Sequence, residues 1–263
     1  TLENAPFSAE FTLNLPQPPA SPTQLTVSWG DGNNQTVTLA AGQSSITLAH
    51  TYADDDPSGT AADNRAIIAT ATAVSGVGVG IISVRNVAPT LQGLQLSRSE
   101  VDEGGEVRLT GSIADASPND TFTLVVDWGD TQTTRRTGLG PGNATIDLTH
   151  VFRDDNPTGT PFDLTQIRVT VEDDDTGVVS QTLPLTVRNA APVISNLRLA
   201  KAQIKEGETA TVIGSFTDAG WGDSFSIEVD WGDGNFIATP LSAVGSFADG
   251  SGQFTLSRLF SDD

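Results

Sequence analysis

Apolar and polar residues alternate with a period of two in three stretches that end alike: Leu25, Val27 and Trp29; Phe122, Leu124, Val126 and Trp128; Phe225, Ile227, Val229 and Trp231. The positions between them, such as Thr123, Asp127, Glu228 and Asp230, are mostly polar. Each stretch therefore predicts a strand with one face buried and the other in water. The alternation returns later in Ile46, Leu48, His50 and Tyr52, in Ile146, Leu148, His150 and Phe152, and in Phe254, Leu256, Arg258 and Phe260. No stretch carries a clear 3.6-residue apolar period, and Gly, Thr, Asp and Pro punctuate the chain at short intervals. The pattern predicts an all-β fold built of sandwich strands.

Each of the first three strands runs into Trp-Gly-Asp, at 29–31, 128–130 and 231–233, spaced 99 and 103 residues apart. That spacing is one small β-sandwich and is too long for a solenoid repeat. Val84-Arg85-Asn86-Val87-Ala88-Pro89 recurs as Val187-Arg188-Asn189-Ala190-Ala191-Pro192, and its proline interrupts any continuing strand ladder. These hinges divide the chain into unit 1 (1–86), unit 2 (87–189) and unit 3 (190–263). Only 28 residues precede the first Trp-Gly-Asp, so unit 1 is expected to lack its first strand. Unit 3 ends at Asp262-Asp263, which align with Asp154-Asp155, and is expected to lack the last two strands and to expose apolar surface.

Thirty-three acidic against 13 basic residues give a net charge of −20, which opposes nucleic acid and anionic membrane surfaces as partners. The chain has no cysteine, so neither a disulfide framework nor a thiolate metal site exists. No apolar run is long enough for membrane insertion. Gly-x-Ser-x-Gly, phosphate-binding glycine loops and His-Glu-x-x-His are all absent, and no enzyme is expected.

The repeated parts resemble the polycystic-kidney-disease (PKD) repeat. They are Trp29-Gly30-Asp31-Gly32 with His50-Thr51-Tyr52, and Trp128-Gly129-Asp130 with His150-Val151-Phe152, Val169-Thr170-Val171 and Asp173-Asp174-Asp175-Thr176-Gly177. Thr131 replaces the final glycine in unit 2, Arg258 replaces the histidine in unit 3, and Thr72-Ala73-Val74-Ser75 stands where unit 2 has Glu172 to Asp175. The resemblance implies tandem immunoglobulin-like (PKD-type) β-sandwiches from a bacterial or archaeal extracellular multidomain protein, serving as non-catalytic surface or spacer modules.

Three sets of residues are candidates for chemistry. His50 and His150 hold one position of two units on the buried side of a strand. They read as polar groups at the rim of the core, bonded to a loop carbonyl, rather than as a hydrolytic or metal site. Trp29, Trp128 and Trp231 read as core, whereas Trp221, between two glycines of a loop, is a candidate surface-binding residue. The carboxylates Asp54, Asp55, Asp56, Asp154, Asp155, Asp173, Asp174 and Asp175 lie in turns, where hard oxygen ligands suit calcium. The alternative is a solvated acidic turn, since Asp initiates turns without a metal.

Sandwich topology gathers Asp31 and Asp54 to Asp56 at one pole of unit 1, facing Asp115, Asp120 and Asp173 to Asp175 of unit 2. It likewise brings Glu103, Asp130, Asp154 and Asp155 toward Asp218 and Asp223. Poles of like charge repel unless cations lie between them. The expectation is an extracellular or cell-surface spacer or adhesion array, rigidified by calcium at its junctions, whose neighbours are further copies of the module and cell-surface protein or polysaccharide. The competing reading is an accessory substrate-binding region of a secreted hydrolase.

Overall fold

The computed structural model describes the chain except residues 57, 73–75, 156–158, 233, 235, 249, 262 and 263, and the side chains of 237, 243 and 244. The unit 1 segment aligned with the acidic turn (in part), the Asp of the third Trp-Gly-Asp, and Asp262-Asp263 therefore lie outside the described residues.

In unit 1 the strands are β1 (Pro6–Thr12), β2 (Thr23–Ser28), β3 (Asn34–Leu39), β4 (Ser45–Thr51), β5 (Ala62–Ala71) and β6 (Val77–Arg85). Unit 2 holds β7 (Thr90–Leu96), β8 (Glu100–Asp102), β9 (Glu106–Ala114), β10 (Phe122–Asp127), β11 (Thr133–Leu139), β12 (Asn143–Val151), β13 (Phe162–Asp173) and β14 (Val178–Arg188). Unit 3 holds β15 (Val193–Leu199), β16 (Thr209–Thr217), β17 (Ser226–Asp230), β18 (Phe236–Pro240), the one-turn helix α1 (Leu241–Val244), β19 (Gly245–Ala248) and β20 (Ser251–Leu259). The chain is a tandem of immunoglobulin-like β-sandwiches.

Unit 2 shows the full pattern, a sheet ordered β11-β10-β13-β14-β8 facing a sheet ordered β12-β9-β7. All pairs are antiparallel except β14 with β8, where Thr186 lies opposite Glu100. Phe122, Leu124, Val126 and Trp128 of the first alternating stretch are all buried, and they pack on Leu109, Ile146, Phe152, Val169 and Leu185 from both sheets. Alternation thus buries every second residue of both inner faces.

Unit 1 repeats this with β3-β2-β5-β6 over β1-β4. A parallel bridge from Leu2 to Arg85 takes the place of the β8–β14 pair. Among the described residues nothing flanks β1 where β7 flanks β9. In unit 3, among the described residues, β17 pairs only with β18, and no strand covers it as β13 covers β10. Its small core of Phe216, Leu241 and Phe254 leaves Val193, Ile194, Leu197 and Leu199 exposed.

The Trp-Gly-Asp turn is conformationally demanding. Gly30 and Gly129 have φ of 86° and 81°, and a Cβ on Gly30 would meet the Ala66 carbonyl oxygen at 2.7 Å. Left-handed backbone pressed against a neighbouring strand requires glycine there. Thr131 adopts φ 71°, the conformation that Gly32 takes in unit 1.

Candidate carboxylate junctions between units

The turn aspartates go elsewhere than expected. Asp31 Oδ2 lies 2.7 Å from His50 Nε2, and Asp130 Oδ2 lies 2.7 Å from His150 Nε2. Each imidazole stacks on its tryptophan, His50 on Trp29 at 4.8 Å and His150 on Trp128 at 4.5 Å. The histidine partner is thus a carboxylate of the turn and not a loop carbonyl, and Asp31 and Asp130 do not join the interunit clusters. Burial acts to raise the Asp31 carboxyl, but bonds from Asn33 and His50 outweigh it and hold the group below the usual carboxylate range. In unit 3 Arg258 occupies the position and its guanidinium lies 5.5 Å from the Phe260 ring centre.

Where units 1 and 2 meet, eight carboxylates converge: Glu3, Asp54 and Asp55 from unit 1, and Asp115, Asp120, Asp173, Asp174 and Asp175 from unit 2. Their oxygens form overlapping sets, each set lying within 4.8 Å: Glu3–Asp54–Asp120, Asp54–Asp55–Asp175, Asp115–Asp120–Asp173 and Asp120–Asp174–Asp175. Among the described residues none of the eight forms an ion pair with a basic side chain.

Local structure aims them inward. Asp115 accepts a bond from the Ser117 amide through Oδ1, and Asp173 accepts from the amides of Asp175 and Gly177, so both turns curl around a carboxylate. Asn86 in the hinge donates to Asp173 Oδ2 and to the Asp175 carbonyl. Glu3 Oε1 accepts from the Val87 amide at 2.7 Å, which ties unit 1 to the hinge that leaves it. Asn4 reaches across to the Ala116 carbonyl. Gly177 packs tightly on the hinge, since a Cβ there would meet Ala88 Cα at 2.7 Å and Asn86 Nδ2 at 2.9 Å.

Several of these oxygens are buried without a partner. Asp55 is fully buried and Asp120 is 1% exposed, and neither carboxylate oxygen of either residue has a hydrogen bond within the protein. Glu3 Oε2, Asp115 Oδ2 and Asn86 Oδ1 are likewise unpartnered. Burial is the main cause of the raised pKa values here. It pushes Glu3 up to about 8 against the Val87 amide, with Asp120, Asp115 and Asp55 adding repulsion. Burial raises Asp120 to about 7 with help from Asp115, Asp54 and Asp174; the Ser117 hydroxyl opposes this without a well-aligned bond. Asp175 is raised to about 7 and Asp55 to about 6 by burial and then by neighbouring carboxylates. An unpaired buried carboxylate is expensive, and either a proton or a positive partner offsets that cost.

The second junction repeats the first. Glu103, Asp154, Asp155 and Asp223 lie within 4.8 Å of one another, in the positions of Glu3, Asp54, Asp55 and Asp120. Glu103 Oε1 accepts from the Ala190 amide at 2.8 Å, and burial followed by the charges of Asp223, Asp218 and Asp155 raises it to about 7. Asp218 repeats Asp115, bonding the Gly220 amide through Oδ1 and leaving Oδ2 buried and unpartnered. A Cβ on Gly220 would meet Glu103 Oε2 at 2.7 Å.

Of the aspartates singled out from sequence, Asp54, Asp55, Asp154, Asp155, Asp173, Asp174 and Asp175 belong to these sets. Asp56 belongs to none, and its amide bonds Asp54 Oδ1. Glu3 and Asn86 had no sequence signal in unit 1 alone; the register of Glu3 with Glu103 and of Asn86 with Asn189 was the clue available. Trp221 is 57% exposed, and the Arg153 guanidinium lies 4.2 Å from its ring centre while its amide bonds the Arg153 carbonyl. One ring face is therefore occupied by a neighbouring unit and is not a free platform.

The ligand set is all oxygen, mostly anionic and carried on turns. That composition fits a hard divalent cation such as calcium and does not fit zinc or copper, which favour nitrogen and sulfur. Two surface grooves run along β1 and β6 and along β15 and β17, away from the carboxylates. Among the described residues no helix is long and apolar enough to cross a membrane.

No family model and no curated protein matches the chain. Among solved structures, a four-repeat segment from the extending region of a large adhesion protein is 17% identical, over 99% of this chain and 64% of that one, with a TM-score of 0.46. This chain thus spans less than two thirds of that segment. The ICAM-5 D1–D4 ectodomain fragment is 15% identical over 99% and 72%, with a TM-score of 0.40. The mouse nectin-like molecule 4 ectodomain is 14% identical over 96% and 85%, with a TM-score of 0.36. These likenesses assign no activity or partner.

Proposed function

We propose that the chain is a stretch of a non-catalytic, extracellular spacer or adhesion array of PKD-like units, 1–86, 87–189 and 190–263, held in line by calcium at the junctions between units. The supporting observation is the pair of buried, unpartnered carboxylates Asp55 and Asp120, which face each other's units within a cluster that, among the described residues, forms no ion pair with a basic side chain. Glu3, Asp54, Asp55, Asp115, Asp120, Asp173, Asp174 and Asp175 would hold the ion at the first junction, and Glu103, Asp154, Asp155, Asp218 and Asp223 at the second. A bound cation supplies the charge that these groups otherwise lack. The chain's own residues position the ligands: Glu3 and Glu103 pin the hinge amides, and Asn86 orients Asp173. Without a cation the facing poles repel and the units articulate about the hinges.

Calcium titration followed by calorimetry, with small-angle scattering of chelated and loaded protein, tests this reading. Saturable binding with a longer, stiffer particle is expected. Absence of heat and of any change in dimensions at millimolar calcium overturns it.

A further inference from the structure

Two oxygens can ligate one calcium ion only if they lie within about twice the calcium–oxygen distance of 2.3–2.6 Å. No single set within 4.8 Å holds all eight carboxylates of the first junction. They separate into four overlapping sets, and Asp120 belongs to three of them. Asp120 also brings two free oxygens, both buried and without a hydrogen bond, so one carboxylate is equipped to serve two ions at once.

Membership of the sets differs in a telling way. Asp115, Asp120 and Asp173 all come from unit 2, and Asp115 and Asp173 are already oriented by their own turns through Oδ1. Glu3, Asp54 and Asp120 come from both units, with Glu3 fixed by the hinge through Oε1 and its Oε2 left buried and unpartnered. The two sets share Asp120 and no other residue.

We propose that the first junction binds at least two calcium ions bridged by Asp120, one held wholly by unit 2 through Asp115, Asp120 and Asp173, the other straddling the units through Glu3, Asp54 and Asp120. The inference rests on the calcium reading above. Its mechanical consequence is an order of events: the unit 2 ion takes all three carboxylates from unit 2, with Asn86 of the hinge bonded to Asp173 Oδ2, and its occupation presets Asp120 for the ion that locks unit 1 in place.

Native mass spectrometry and titration calorimetry of the intact chain count the ions, in wild type, Asp120→Asn and Asp54→Asn, each verified as folded by circular dichroism. Asp120→Asn is expected to lose at least two ions relative to wild type. Asp54→Asn is expected to lose only the straddling ion, keeping the unit 2 ion while scattering shows a flexible first junction. Loss of a single ion, or of none, in Asp120→Asn overturns the bridge while leaving calcium binding intact. Loss of every first-junction ion in Asp54→Asn overturns the unit 2 site, and wild type that binds no calcium overturns the underlying reading.

Discussion

Replacing Asp120 by Asn keeps the shape of the side chain, removes one charge, and has opposite consequences with and without a cation. Asp120 is 1% exposed, and its carboxyl is raised from 3.8 to about 7. A rise of roughly three units corresponds to about 4 kcal/mol at alkaline pH. The sign follows from linkage: a carboxyl raised on folding holds its proton longer than in the unfolded chain, so stability falls as pH climbs from 3.8 toward 7 and stays low above it. Asparagine carries no such penalty, and its amide can donate to the surrounding carboxylates. In chelator at pH 8, Asp120→Asn should therefore be more stable than wild type by about 2–4 kcal/mol, allowing for relaxation, and at pH 4 the two should converge. In calcium the order should reverse, because wild type gains about 2.7 kcal/mol per ion at a hundredfold excess over its dissociation constant, about 5 kcal/mol for the two ions that Asp120 bridges, while the variant loses both. Thermal denaturation at both pH values, with and without calcium, reads all four cases. A variant that is less stable than wild type in chelator at pH 8, with an undiminished calcium response, would show that the carboxylate is satisfied by the protein itself.

Three further outcomes are expected. Chelated wild type should be more stable at pH 5 than at pH 8, because the raised values of Glu3 at about 8, Glu103, Asp120 and Asp175 at about 7 and Asp55 at about 6 all penalise ionisation, and calcium should flatten or invert this profile in thermal melts. Thr131→Gly, which relieves a β-branched residue at φ 71° in an exposed turn, should raise stability by about 1 kcal/mol in urea unfolding. Gly177→Ala, whose new methyl would press on Ala88 and Asn86 of the hinge, should weaken calcium binding at the first junction at least tenfold by calorimetry and leave the second junction's ions in place.

Much of the fold was legible because its signals are local. Alternation at Phe122, Leu124, Val126 and Trp128 is imposed by the pleat of one strand, and all four side chains are buried as the period requires. The apolar residues Val193, Ile194, Leu197 and Leu199 of unit 3 are exposed, in keeping with the apolar surface expected there. Most of the junction aspartates were visible as acidic turns, but Asp31 and Asp130 were assigned to the same poles and instead bind His50 and His150. A turn aspartate has two destinations within reach, and only the packing of the imidazole on the tryptophan selects one.

The sequence by itself determined the strands, the glycine-dependent Trp-Gly-Asp turns, the register of the repeats and a strong excess of acid, since each is set by backbone geometry or composition within one unit. Tertiary structure alone decided which acids meet. Glu3 is one glutamate near the start of the chain until the Arg85 carbonyl and the Val87 amide hold it over Asp120, a residue more than a hundred positions away. Burial of a charge depends on what the facing unit places against it, and no local pattern encodes that approach.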